Sequence, residues 1–139
     1  VRKIFRHFLA EFSMRYHIPL NTFDYILPIP LHPVRLRERG FNQSQLIAEI
    51  LKKDYNAPVI ANPLSRIRPT NPQSHLGQKE RWTNMEGAFR MKNNFIINNN
   101  SILLIDDLLT TGATASAAAL ALKEAGAKRV DLFVIALAK

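Results

Sequence analysis

The sequence predicts an α/β fold, a mainly parallel sheet flanked by helices, and three observations predict it. Ser101 to Ile105 and Val130 to Ala136 are predominantly apolar runs of strand length. Between them Thr114 to Ala125 is an alanine-rich helical segment, with Gly126 placed as a helix stop. Strand, helix, strand with both strands buried is a parallel βαβ unit, and its ligand belongs beyond the carboxyl end of the first strand. At 139 residues and 47% hydrophobic, the chain is expected to form one domain over 1–139 with a self-sufficient core.

The remaining elements follow in chain order. Ile4, Phe5, Phe8, Leu9 and Phe12 fall at helical spacing with Arg2, Arg6 and Glu11 between them, which predicts an amphipathic helix stopped by Pro19. Phe23 to Ile29 clusters aromatic and branched residues and reads as a short buried strand, ended by Pro28 and Pro30. Leu46, Ile47, Ile50 and Leu51 predict a helix over Asn42 to Leu51, capped by Asn42 or Ser44. Pro58 to Ile60 suits a brief second strand. Pro63 to Arg81 has three prolines, one glycine and little apolar periodicity, so a long polar loop is expected there. Loops of that length are commonly lids or binding loops, although a tolerated surface insertion reads the same way. Glu86 to Ile97 predicts a hairpin or short strands, and Asn98 to Asn100 a turn.

Composition removes several classes of function. With no cysteine there is no disulfide framework, thiolate zinc site or thiol nucleophile. No apolar run approaches the roughly 18 residues of a spanning helix. Arg2, Lys3, Arg6, His7 and Glu11 break the N-terminal apolar pattern and argue against a signal peptide, so a cytoplasmic location is expected. The net charge of +8 is uneven: residues 1–92 hold 15 of the 19 basic groups and 7 of the 11 acidic ones. A positive balance of that kind favours phosphorylated or nucleic-acid partners, though it also describes an ordinary soluble surface.

The chemistry concentrates where the first βαβ strand hands over to its helix, at Asp106-Asp107-Leu108-Leu109-Thr110-Thr111-Gly112-Ala113-Thr114. Adjacent carboxylates raise each other's pKa unless cations or hydrogen-bond donors compensate them. A sugar diol and a hard metal would do so. Three threonine hydroxyls, a glycine and the amides opening a helix favour an anion. A ribose phosphate satisfies both halves, whereas Asp and Thr at such a junction also serve as plain caps.

Hydrophobic strand, Asp-Asp, two apolar residues, Thr-Thr-Gly-x-Thr and helix together closely resemble the pattern with which type I phosphoribosyltransferases bind phosphoribosyl diphosphate (PRPP). Pro28-Ile29-Pro30-Leu31-His32-Pro33, then Arg35, Arg37 and Arg39-Gly40-Phe41-Asn42-Gln43-Ser44, resemble a block of the ComF family of competence-associated phosphoribosyltransferases. Arg66, Arg68-Pro69-Thr70, Gln73, Leu76, Arg81, Asn84 and Phe89 resemble that family's next block in order and spacing, so the likeness covers most of the chain from Tyr25 onward.

The resemblance implies a type I phosphoribosyltransferase fold with a small hood and a flexible loop, and residue roles to match. Asp106 and Asp107 would meet the ribose hydroxyls and a Mg2+ ion, directly or through water. Leu109, Thr110, Thr111, Gly112, Ala113 and Thr114 would hold the terminal phosphate. Leu31 and His32, with Pro30, would form the loop contacting diphosphate. Arg35, Arg66, Arg68, Lys79 and Arg81 would serve the lid and the diphosphate, a task suited to arginine's forked donors.

The chain departs from the family's wider pattern in two places. Purine-salvage relatives carry an aspartate base where this sequence has Thr110, which disfavours a purine acceptor. The N-terminal four-cysteine zinc module of many ComF relatives is absent from these 139 residues. His7, His17, His32 and His75 form no metal-ligand spacing. Trp82 fits either base stacking or anchoring of the lid against the core. Three functions stay open: a Mg-dependent PRPP-binding transferase without an assigned acceptor, a single-stranded DNA-binding competence factor working with competence-machinery proteins, and a noncatalytic PRPP sensor.

Overall fold

A computed structural model of the chain describes residues 1–68 and 77–138. Pro69, Thr70, Gln73, His75 and Leu76, with the Trp82 side chain, lie outside the described residues. Helix α1 (Arg2–Arg15) leads into strand β1 (Tyr25–Pro28), helices α2 (Pro33–Arg39) and α3 (Gln43–Asp54), and strands β2 (Val59–Ile60) and β3 (Leu64–Arg66). Helix α4 (Gln78–Met85), strands β4 (Phe89–Met91) and β5 (Ser101–Leu109), helix α5 (Ala113–Glu124) and strand β6 (Arg129–Leu137) complete it.

The main sheet runs β2-β1-β5-β6 with every described pair parallel, which is the α/β architecture expected from the sequence. β1 and β5 supply its buried centre, and Ile26, Leu27, Ile102, Leu104 and Ile105 are each almost completely inaccessible to solvent. One core cluster lies between the sheet and α5 and also takes in Leu64, Met85 and Phe89. The other joins α3 to the opposite side of the sheet, where Ile47 and Leu51 pack with Ile26, Ile105 and Phe133. Among the described residues no helix is long and apolar enough to cross a membrane.

Several expectations are corrected. The region expected as one long loop over Pro63 to Arg81 contains β3 and the start of α4. Leu64 is buried, and β3 pairs antiparallel with β4 through Leu64↔Met91 and Arg66↔Phe89. α4 forms despite a polar sequence because the Glu80 carboxylate accepts from the Gly77 amide at 2.9 Å and Met85 closes it against the core. Of the two readings of Glu86 to Ile97, the short strand is the one found: β4 pairs with β3 rather than within the segment. The arginine-bearing segment after His32 is helix α2, with proline in its first turn and Gly40 at its end in the left-handed region, φ 80. In α1 only Leu9 is fully buried, while Ile4 is 70% exposed.

Candidate functional site

Strand β5 continues past Ile105, where the sequence predicts its end, to Leu109. The cause is its partner, since β6 stays in register with Asp106↔Val134 and Leu109↔Leu137, and the Ala138 amide donates to the Leu109 carbonyl. Asp106 thus projects from paired backbone, and Asp107 lies within the same strand between the paired Asp106 and Leu108. Both are half-buried.

Asp106 is gripped by the protein. Its Oδ1 accepts from the Ser44 hydroxyl at 3.2 Å and from the Asp107 amide at 2.9 Å. Burial, then the neighbouring Asp107 charge, pushes its pKa up to about 6, against the opposing pull of the Asp107 amide and Ser44 hydrogen bonds. The Ser44 contact arises because Asn42 ties two elements together: its Oδ1 accepts from the Ser44 amide, capping α3, while its side-chain amide donates to the Ile29 carbonyl at the end of β1. Of the two caps the sequence allows, Asn42 is the one used. Ser44 has a different role, which its place in the Arg-Gly-Phe-Asn-Gln-Ser block did not disclose.

The segment leaving β1 runs beside Asp106, because the Ile29 amide donates to the Ile105 carbonyl at 2.9 Å. Leu31 and His32 follow, both half-buried. The His32 Nδ1 accepts from the Val34 amide at 3.2 Å, which caps α2. Arg35 lies one turn on, 3.6 Å from Glu38.

Across the site stands Arg66, at the end of β3, its guanidinium 5.8 Å from the Phe89 ring centre and 3.3 Å from the Met85 sulfur. Burial lowers its pKa, attraction to Asp106 opposes that shift, and repulsion from Arg35 adds to it. Arg66 on β3 is therefore within electrostatic range of both Asp106 on β5 and Arg35 on α2. Arg68 has another engagement: its guanidinium donates to the Asn84 and Glu86 carbonyls, closing the carboxyl end of α4. Lys79 and Arg81 belong to α4, the first exposed and the second half-buried.

After β5 the chain turns through Thr110 and Thr111 to Gly112, whose φ of 84 is a left-handed conformation that favours glycine. The Thr111 hydroxyl accepts from the Ala113 amide at 3.3 Å, and the Gly112 carbonyl accepts from Ser116 at 2.8 Å, opening α5. Thr111 thus braces the helix start from the residue before its N-cap, Gly112. The amides of Thr111 and Gly112 engage no acceptor among the described residues. Thr110 is exposed, Ala113 is buried, and Leu109, Thr111, Gly112 and Thr114 are half-buried. A separate cavity of about 380 Å3, between α4, Phe89 and the Ala117–Leu120 face of α5, meets this loop only at Ala113.

This strand-to-helix turn and the Asn42–Ser44 corner frame the comparison with known proteins. No protein-family model matches the chain. Over 75 residues it is 33% identical to Competence protein F of Haemophilus influenzae, a match covering 52% of this chain and 33% of that protein. DNA utilization protein YhgH of Salmonella typhi is 35% identical over 69 residues, covering 50% of this chain and 30% of the relative. Over about half of its length the chain is therefore similar to competence and DNA utilization proteins of the ComF type. Its match spans about a third of each relative's own length. A purine phosphoribosyltransferase from Pyrococcus horikoshii is a distant structural likeness, with TM-score 0.46 and 14% identity, over 95% of this chain and 70% of that one.

Proposed function

We propose that this chain is of the ComF type and binds phosphoribosyl diphosphate together with Mg2+ at the carboxyl end of β5, within a protein serving DNA uptake. One observation carries the reading: a half-buried acid pair runs directly through Thr110–Gly112 into α5, with Arg66 in electrostatic range of both Asp106 and Arg35. Ribose hydroxyls donate to carboxylates, and a terminal phosphate accepts from threonine hydroxyls and from amides at a helix start. The diphosphate would lie toward Leu31, His32, Arg35 and Arg66, where charge-assisted hydrogen bonds are the strongest available.

Among the described residues no three His, Asp or Glu side chains converge as a metal set. That suits Mg2+, which keeps waters and commonly takes one or two carboxylates beside phosphate ligands. Asp106 and Asp107 would hold it, directly or through water, and when bound it neutralises charge on diphosphate oxygens. The chain's own residues orient the ribose through the acids and stabilise developing negative charge through Arg35 and Arg66. Thr110 cannot serve as a base near neutral pH, so a purine acceptor is disfavoured. Diphosphate release across a panel of amines, nucleobases and nucleic acids separates a transferase from a noncatalytic sensor.

Calorimetric titration with phosphoribosyl diphosphate and Mg2+ tests the binding step. The intact chain is expected to bind, and Asp106→Asn with Asp107→Asn to abolish the heat; unchanged affinity in that double variant overturns the proposal. A second reading, single-stranded DNA binding alongside competence-machinery proteins, is favoured by the names of the two relatives and by Arg37 and Arg39, both exposed on α2 next to the site.

A further inference from the structure

Ser44 is 3% exposed and is the buried polar residue of the described core. It sits in the first turn of α3, where its backbone amide is already satisfied by Asn42. Its hydroxyl crosses to Asp106 on β5, 62 residues away in sequence. A carboxylate oxygen offers about two lone-pair sites. On Asp106 Oδ1 both are engaged, by the Ser44 hydroxyl and the Asp107 amide. Among the described residues no donor hydrogen-bonds Oδ2, which leaves that oxygen to face a ligand.

We infer that Ser44 is a positioning residue, which locks the Asp106 carboxylate so that a single oxygen is presented at the site and the ligand's second hydroxyl or cation contact falls to Asp107. The Gly40–Ser44 corner is then a bracket. Gly40 lets α2 end in the left-handed conformation, Asn42 fastens α3 to the end of β1, and Ser44 carries that alignment to β5. The two acids, alike in sequence, become unequal in duty. A bond across elements also aligns the diphosphate-side segment after β1 with the ribose side after β5, because both are referred to the start of α3.

The assignment deepens the proposed site and rests on it for its binding readout, so two measurements keep the two ideas apart. In the full-length chain, Ser44→Ala is expected to weaken the phosphoribosyl diphosphate and Mg2+ complex by about tenfold, the usual scale for one hydrogen bond to a charged group. In an Asp106→Ala background the same substitution should add nothing, since Ser44 would act through that acid. Additive losses overturn the inference. The second measurement needs no ligand: in nitrogen-15 NMR spectra, Ser44→Ala should move the Asp107 amide resonance and speed its exchange, because that amide shares Oδ1. An unmoved Asp107 amide overturns the inference whether or not the chain binds the sugar phosphate. Conversely, a shifted amide in a chain that binds nothing retains the Ser44 assignment and removes the proposed function. Ser44→Cys, of similar size but a weak donor, is expected to repeat both effects and replaces the alanine variant should that one fail to fold.

Discussion

Asp106 is charged against its surroundings. Its folded pKa of about 6 lies above the ordinary 3.8, so between those values the folded chain holds a proton that the unfolded chain releases. Stability from this residue is therefore full below the lower value and lost as pH rises through the higher one. At 1.36 kcal/mol per pKa unit the loss reaches on the order of 3 kcal/mol above pH 6. Asp106→Asn copies the protonated shape without the charge. Urea unfolding should find it more stable than wild type by about 1 to 3 kcal/mol at pH 7.5, with the difference shrinking toward pH 4. A gain independent of pH would contradict this origin. A stability deficit held at a binding residue is the expected signature of a site that awaits a compensating cation or hydroxyl. The sequence makes the acid pair conspicuous because like charges side by side require an explanation. Ser44 is not conspicuous, since serine at a helix start is so often only a cap.

At the scale of elements, what could be read in advance is what buries apolar surface. β1, α3, β5, α5 and β6 each carry a continuous apolar run or a helical stripe, and each forms close to its expected place. α2 and α4 bury little of their own surface, so hydrophobic periodicity does not reveal them. Their termini hold the remaining signals: Pro33 and Gly40 bracket α2, and Glu80 reaches back to the Gly77 amide. The end of β5 was hidden for another reason: pairing with β6 is a property of two strands and outlasts the apolar run of one. Asn42 shows how much one cap can align. Asn42→Ala removes both the cap and the Ile29 link and should cost about 2 kcal/mol in denaturant unfolding. Asn42→Asp restores the acceptor but not the donor, and should recover about half of that loss. Equal losses in the two variants would show that the Ile29 link, rather than the cap, carries the effect.

Over the whole molecule, charge is divided by element. Residues 93–139 hold four basic and four acidic groups, so the net +8 comes entirely from the first 92. The acids proposed for the sugar therefore come from the neutral part, and the arginines proposed for phosphates from the basic part, α2 and β3. The sheet order β2-β1-β5-β6 sets β1, the strand that feeds α2, directly beside β5. On this arrangement a nucleic-acid strand and phosphoribosyl diphosphate would draw on neighbouring arginines, and their binding should compete. Single-stranded DNA affinity should fall steeply with salt, because each neutralised phosphate releases a counterion. Arg35, Arg37 and Arg39 changed together to Gln should reduce the slope of log affinity against log salt by about 2, from roughly 0.7 per phosphate contact. Fluorescence anisotropy with a labelled oligonucleotide, titrated at several salt concentrations with and without phosphoribosyl diphosphate, measures both. A slope unchanged by the triple substitution would place any DNA contact elsewhere. DNA affinity indifferent to the sugar phosphate would separate the two surfaces, leaving the α2 arginines to the smaller ligand.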